Sequence, residues 1–277
     1  MAKTAEELQK QWWDRWWAAD WSWEGLADKP VGKNGNTIHG GVHGEQTLQE
    51  YWRRDPKTQM LREDSALLAA GELVQAPDGE LWHLAHVPMH WPGGTPAKGG
   101  WDAARREVLA SIIAARMAEA DETQTDGWCG ANRPDRRAQL SGTVLLDAPR
   151  HPMGEGFPLD LVCDHAALPG WRAPNLEFGA GFTCAGANFF NDTDLNGAAF
   201  SADSNFNAAT FCGYARFHDA TFAGTARFYA AAFLGSVSFG SATFSKGADF
   251  DNANFSGGTS FTSTTFATSA SFTKATF

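Results

Sequence analysis

The chain has 277 residues and a formal charge of −10. That is length enough for two domains, and the acidity argues against direct attraction to nucleic acid or an anionic lipid surface. Residues 1–129 hold 13 Lys and Arg against 20 Asp and Glu, and residues 130–277 hold 9 against 12.

Tryptophan is confined to residues 1–171, mostly before 130. This marks two unlike cores: a Trp-rich mixed α/β domain at 1–130 and a second domain at 131–277. The opening residues, Met1 to Leu8, are polar and charged and do not resemble a secretory signal. No apolar run approaches the length of a membrane span, so the expected setting is the cytoplasm of a bacterium. Residues 5–20 are predicted helical, with Thr4 as N-cap and Glu6 and Glu7 in the first turn. Trp12, Trp13, Trp16 and Trp17 share one broad face of that helix. Its polar face is mixed in sign, which fits burial within its own domain better than a lipid surface.

Gly35, Gly40, Gly41 and Gly44 form a loop. It is not a phosphate loop, because the Lys-Ser/Thr pair is missing. Short helices are predicted at 47–54 and 64–73, with Gly71 ending or interrupting the second. Asp78-Gly79 is a turn signal between Leu73–Gln75 and Glu80–Leu84, hence a hairpin. Residues 103–119 read as a helix with Leu109, Ile112, Ile113 and Met117 on its apolar side.

His83, His86 and His90 are the candidate metal ligands here, with His39 and His43 as further donors. His83 and His86 fall on a predicted strand, where residues three apart point to opposite faces. Neither a His-Glu-x-x-His motif nor a Cys pair joins them, so structural hydrogen bonding is the expectation. Cys129, Cys163, Cys184 and Cys212 match no metal spacing. No nucleophile elbow or dinucleotide fingerprint occurs. The sequence therefore assigns no catalytic, cofactor-binding or metal residue, and no cofactor.

The repeat begins after this. Phe or a substitute returns on an alternating count of five and six: Phe178, Cys184, Phe189, Leu195, Phe200, Phe206, Phe211, Phe217, and so on to Phe277. A small residue sits two places before most of these marks, as Ala187, Ala209, Ala226 and Ala248 do. In-out-in alternation broken by a bend every few residues excludes a helix and fits stacked coils of short strands. Gly213, Gly224, Gly235 and Gly257 hold one place in the longer gaps, where a corner of positive φ is expected. Two unlike gaps stay in register only if a coil has an even number of sides. Four sides give a coil of 22 residues, with columns such as Phe189-Phe211-Phe233-Phe255-Phe277.

The stretches Ala226-Arg-Phe228, Ala248-Asp-Phe-Asp-Asn252 and Ala253-Asn-Phe-Ser-Gly257 resemble pentapeptide repeats, with one extra residue in every second repeat. The resemblance covers about 138–145 and 176–277. It implies a mainly β fold: a right-handed quadrilateral β-helix of about five coils. An open end of such a helix exposes apolar side chains and unpaired strand edges, so the mostly α Trp-rich domain is expected to cap the N-terminal end. Leu140 and Leu145 open the pattern, and the Pro- and Gly-rich stretch of about 147–174 is read as a loop insertion. Cys184 takes a Phe place and is expected as a buried thiol. Asp194 with Arg216, and Arg227 with Asp249, are 22 apart and are expected to point outward and pair by charge.

A non-catalytic interaction or scaffold module, with a protein partner still to be identified, is the function expected. The resemblance also implies an alternative, an acidic DNA mimic that binds gyrase. The small negative excess in the repeats, and Arg216 and Arg227 at outward positions, weigh against it. An uncharacterised enzyme or metal site in residues 1–130 is a second alternative. Phe277 ends on a mark, so a homodimer through the last coil or continuation into a longer chain is expected there.

Overall fold

The computed structural model describes residues 52–53, 55, 60–77, 79–91, 95–122, 137–146 and 160–277. The helix expected at 5–20, most of that at 47–54, the Gly-rich loop with His39 and His43, and the boundary at 130 lie outside these residues.

In the N-terminal part, helix α1 (Asp64–Ala69) is short and stops where Gly71 takes a φ of 72°. That left-handed conformation is the usual helix terminator. Strands β1 (Leu73–Gln75) and β2 (Leu81–His83) form the expected antiparallel hairpin, Leu73 opposite His83. Helix α2 (Ala103–Glu122) begins at Asp102, whose carboxylate accepts the Arg105 N–H at 2.9 Å. That side-chain bond caps one of the donors a helix start leaves unpaired. Leu109, Ile113 and Met117 are buried along α2, and Ile112 is half-buried.

The rest is a four-sided solenoid of about five coils, 22 residues to a coil. Its first face stacks β6 (Glu177–Phe178), β10 (Ala199–Phe200), β14 (Thr221–Phe222), β18 (Thr243–Phe244) and β22 (Thr265–Phe266). The second stacks β3 (Arg137–Gln139), β4 (Asp160–Val162), β7 (Phe182–Thr183), β11 (Ser204–Asn205), β15 (Ala226–Arg227), β19 (Ala248–Asp249) and β23 (Ala270–Ser271). The third runs from β5 (Ala167–Leu168) through β8 (Asn188–Phe189), β12 (Thr210–Phe211) and β16 (Ala232–Phe233) to β20 (Asn254–Phe255). The fourth holds β9 (Thr193–Asp194), β13 (Ala215–Arg216), β17 (Val237–Ser238) and β21 (Thr259–Ser260). All these pairings are parallel.

Strands this short cannot bury a face alone, so the core is built by stacking. Phe rings in one column lie 4.6–5.2 Å apart and nearly parallel, at 0–11°. Parallel strands repeat at about 4.8 Å, so the backbone spacing and the ring spacing coincide. Rings of different columns meet edge to face, as Phe206 and Phe217 do at 84°. That is the other arrangement aromatic quadrupoles favour. All four expected columns form.

Two corners alternate. In each five-residue gap the second residue after the mark is left-handed, with φ of 54–64° at Gly186, Gly197, Ala208, Asp219, Ala230, Ser241, Asn252, Ser263 and Lys274. Gly213, Gly224, Gly235 and Gly257 are not left-handed, which corrects the expectation for them. They are needed for close approach: a Cβ on Gly235 would lie 2.4 Å from the Gly213 carbonyl oxygen, and one on Gly224 2.3 Å from the Ala202 carbonyl carbon.

Asn and Asp side chains tie each coil to the next. Asn196, Asn207, Asp192 and Asp203 each accept the backbone N–H of the residue 22 places on, at 2.8–3.0 Å. Asp251 does the same for Thr273, and Asp164 accepts the N–H of Ala185, 21 places on.

The solenoid resumes at Asp160, not at Leu176, so the insertion is shorter than 147–174. β4 pairs with β3 and β7, and Ala167 pairs with Val144. Cys163 and Leu168 thereby continue the columns of Leu140 and Leu145. The reason the pattern hid here is a swap of sizes. Phe182, Trp171 and Leu161 occupy the usually small place two before the mark, while Cys184, Ala173 and Cys163 occupy the large one. Phe182, Trp171, Leu161, Cys184 and Cys163 are all buried, so the volume is conserved with its order reversed.

The N-terminal part closes this end. Val144 N–H donates to the Ala85 carbonyl at 2.8 Å, and Leu84, Val87, Trp101 and Met117 share one core with Leu140, Val144 and Leu145.

Candidate functional site

Two places gather chemically capable side chains. The first is in the cap. Arg62 grips Glu72 with both guanidinium arms, at 2.8 and 2.6 Å. His83, at the end of β2, is buried, and its Nε2 faces Glu72 Oε2 at 3.7 Å. Its Nδ1 accepts the Ala85 N–H at 3.2 Å, which puts the ring proton of the neutral imidazole on Nε2. Burial alone would raise the Glu72 carboxyl, but His83 and Arg62 outweigh it and bring it down to about 2. Burial in turn lowers His83, against the pull of Glu72. Trp52 lies between His83 and His86, with ring centroids 5.5 and 6.1 Å away, and the Arg116 guanidinium sits 5.6 Å over its ring. A cavity of about 490 Å³ opens beside them, lined by Trp52, Arg62, Glu72, Val108, Ile112 and Arg116 among others. Chemically, Glu72 is an ionised anchor and both nitrogens of His83 face partners. The cluster ties Glu72, just before β1, to Arg62 and to His83 of β2.

The histidines weighed as ligands separate. His86 is buried in a 3₁₀ turn (Leu84–His86) with Nδ1 3.1 Å from the Gly142 carbonyl. His90 is exposed, bridged to Pro96. Among the described residues no group of three or more His, Cys, Asp or Glu could hold a metal ion.

The second place is the corner leading into the fourth face. Arg216 does not pair with Asp194, although the two are in register on that face. It reaches Asp192 instead, at 3.2 Å, and lies 4.1 Å over the Tyr214 ring. The Tyr214 N–H and then Arg216 hold the Asp192 carboxyl below its usual range. Arg227 likewise pairs with Asp203 at 3.1 Å and not with Asp249. At Asp203 burial works the other way, but the Thr225 N–H and Arg227 prevail and keep the carboxyl low. An arginine therefore pairs at i−24, onto the corner carboxylate that already caps the next coil. A count of 22 in sequence reads the face correctly and misses this diagonal.

The repeat spacing, its stacked columns and its Asx-linked corners agree with a family model for pentapeptide repeats, which matches residues 185–232 and 239–277. Residues 185–277 are a pentapeptide-repeat array. No curated protein and no solved structure matches the chain. The pentapeptide-repeat solenoid offers repeat faces: Asp194, Arg216, Ser238 and Ser260 form one outward row, and Asn205, Arg227, Asp249 and Ser271 another. Among the described residues no helix is long and apolar enough to cross a membrane.

Proposed function

We propose that the protein is a non-catalytic interaction scaffold of the bacterial cytoplasm, and that its fourth face, with the Tyr214–Arg216 corner, contacts a protein partner. The observation that carries this reading is the division of side chains along the solenoid. Those pointing inward are consumed by the Phe and Ala columns, and those pointing outward stand in rows, one residue per coil. Rows on rigid strands present several contacts at once with little side-chain ordering to lose, which favours binding. Tyr214 and Arg216 are of the residue types enriched at interfaces, and their stacking leaves them pre-ordered. The acidic-mimic alternative loses ground because Arg216 and Arg227 neutralise Asp192 and Asp203.

A photo-crosslinking residue at Ser238, on the fourth face, should capture one discrete partner in the native cell. The same residue at Thr243, on the first face, should not, and Arg216→Glu should abolish capture at Ser238. Equal capture from both faces, or none, would remove the reading. Gyrase supercoiling activity unaffected by micromolar protein would separately dispose of the DNA-mimic alternative.

A further inference from the structure

The column that holds Phe206 and Phe228 carries two thiols in consecutive coils. Cys163 and Cys184 are both buried and both free. β4 pairs with β7 so that Val162 lies opposite Thr183, which sets Cys163 directly opposite Cys184. The ladder is intact on both sides of the pair. Cys163 N–H donates to the Thr183 carbonyl and His165 N–H to the Ala185 carbonyl, each at 2.7 Å. The two thiols are in hydrogen-bond contact with each other.

Volume alone does not call for sulfur here. The reversed size order asks only for a small residue in the large place, and Ala173 meets that demand beside Trp171. At Cys163 and Cys184 the small residues are ones that can bond to each other. Parallel strands lie about 4.8 Å apart, and disulfides span Cα separations of about 4.4–6.8 Å. Opposed cysteines on neighbouring coils therefore stand within bonding reach with little backbone movement.

Once folded, the pair is poorly placed to react. Burial, then Cys163, then the Asp164 carboxylate push the Cys184 thiol up. Only the thiolate exchanges with disulfides. A thiol that is neither exposed nor ionised exchanges slowly, and a disulfide in the same place is equally screened from reductants.

We propose that Cys163 and Cys184 are a site of oxidation set during folding: in the presence of a low-molecular-weight disulfide they join into one bond between neighbouring coils, and the folded stack preserves whichever state, dithiol or disulfide, it closes around. One cysteine, as thiolate, attacks a sulfur of the small disulfide, forming a mixed disulfide and releasing a small thiolate. The second attacks the protein sulfur of that mixed disulfide and releases the other small thiolate. The pair gives up two electrons and two protons, and the oxidant leaves as two thiols. The bond fastens the coil that receives the cap. Ala167 of that coil bridges Val144, and the Gly142 N–H donates to the Asp164 carbonyl at 2.8 Å.

The test uses the full chain with Cys129→Ser and Cys212→Ser, unfolded in urea and refolded with oxidised or reduced glutathione. Alkylation in denaturant, read by intact mass, then counts the remaining thiols. Oxidative refolding should leave neither thiol free and give a peptide linked through Cys163 and Cys184, whereas reductive refolding should leave both free. In the linked form the Cys163 and His165 N–H groups should stay at least as protected from hydrogen exchange as in the dithiol form. Added to the refolded dithiol form, oxidised glutathione should act at least tenfold more slowly than on the unfolded chain. Should refolding from urea fail, cell-free synthesis in the two glutathione buffers supplies the same two arms. Both thiols still free after oxidative folding, or each blocked separately by glutathione, would overturn the proposal. So would a linked form that has lost protection at Cys163, or a folded dithiol that oxidises as fast as the unfolded chain.

Discussion

Cys184 holds a place that Phe holds in the coils above it, and Phe182 fills the space Cys184 leaves. Both are buried, so neither substitution toward the repeat consensus is benign by itself. Cys184→Phe should overpack and destabilise by about 1–3 kcal/mol, and Phe182→Ala should leave a cavity worth about 3–5 kcal/mol. Together they restore the order seen in the later coils. The double variant should therefore be more stable than Phe182→Ala alone, with a coupling of roughly 1 kcal/mol or more in chemical denaturation. Simple additivity would mean the two sites do not share one space. The two corner types give a second contrast. Gly235→Ala pushes a Cβ to 2.4 Å from the Gly213 oxygen and should destabilise clearly. Ala230→Gly relieves a left-handed alanine with φ of 54° and should be neutral or stabilising by up to about 1 kcal/mol. Thermal midpoints moving in the opposite order would refute this assignment of the corners.

Among the elements, the links between coils matter as much as the strands. Asn207 accepts the Tyr229 N–H at 3.0 Å in a corner where no ladder bond reaches it. Asn207→Ala should cost about 1 kcal/mol and loosen hydrogen exchange at Tyr229 more than at Phe228, whose own N–H donates to Asp249. Uniform loosening would mean the side chain is not the link. These Asx bonds were not legible in the sequence, because Asn and Asp at outward corners read as ordinary loop residues. The columns were legible, since Phe at five and six admits no other stacking. The hairpin and α2 were legible too, from Asp78-Gly79 and from the spacing of Leu109, Ile113 and Met117. The coil at 160–174 was not, because reversed pairs such as Trp171 and Ala173 remove the mark while keeping the volume. Nor was the burial of Lys98, which no local pattern distinguishes from a solvated lysine. It comes from tertiary contact: the ammonium donates to the Ala85 and Val144 carbonyls.

For the molecule as a whole, a capped stack of coils explains why the two parts have different aromatic residues. Stacked Phe suits a repeat of one strand spacing, whereas the cap wraps single Trp side chains around unique shapes, as Trp52 and Trp101 show. Arg216 and Arg227 pair with Asp192 and Asp203 on the solenoid corners, whereas Lys98 and Arg116 are enclosed in the cap. The central claim is that a coil is four strands and 22 residues, so that outward residues form straight rows. Spin labels at Asp194 and Ser260, with Cys129 and Cys212 replaced, test it most directly. Both sites lie on the fourth face, three coils apart, which places their backbones about 14 Å from each other. Pulsed electron resonance should give one narrow distribution below about 25 Å once label arms are included. A broad distribution, or a mean well beyond that distance, would place residue 260 on another face and contradict the account.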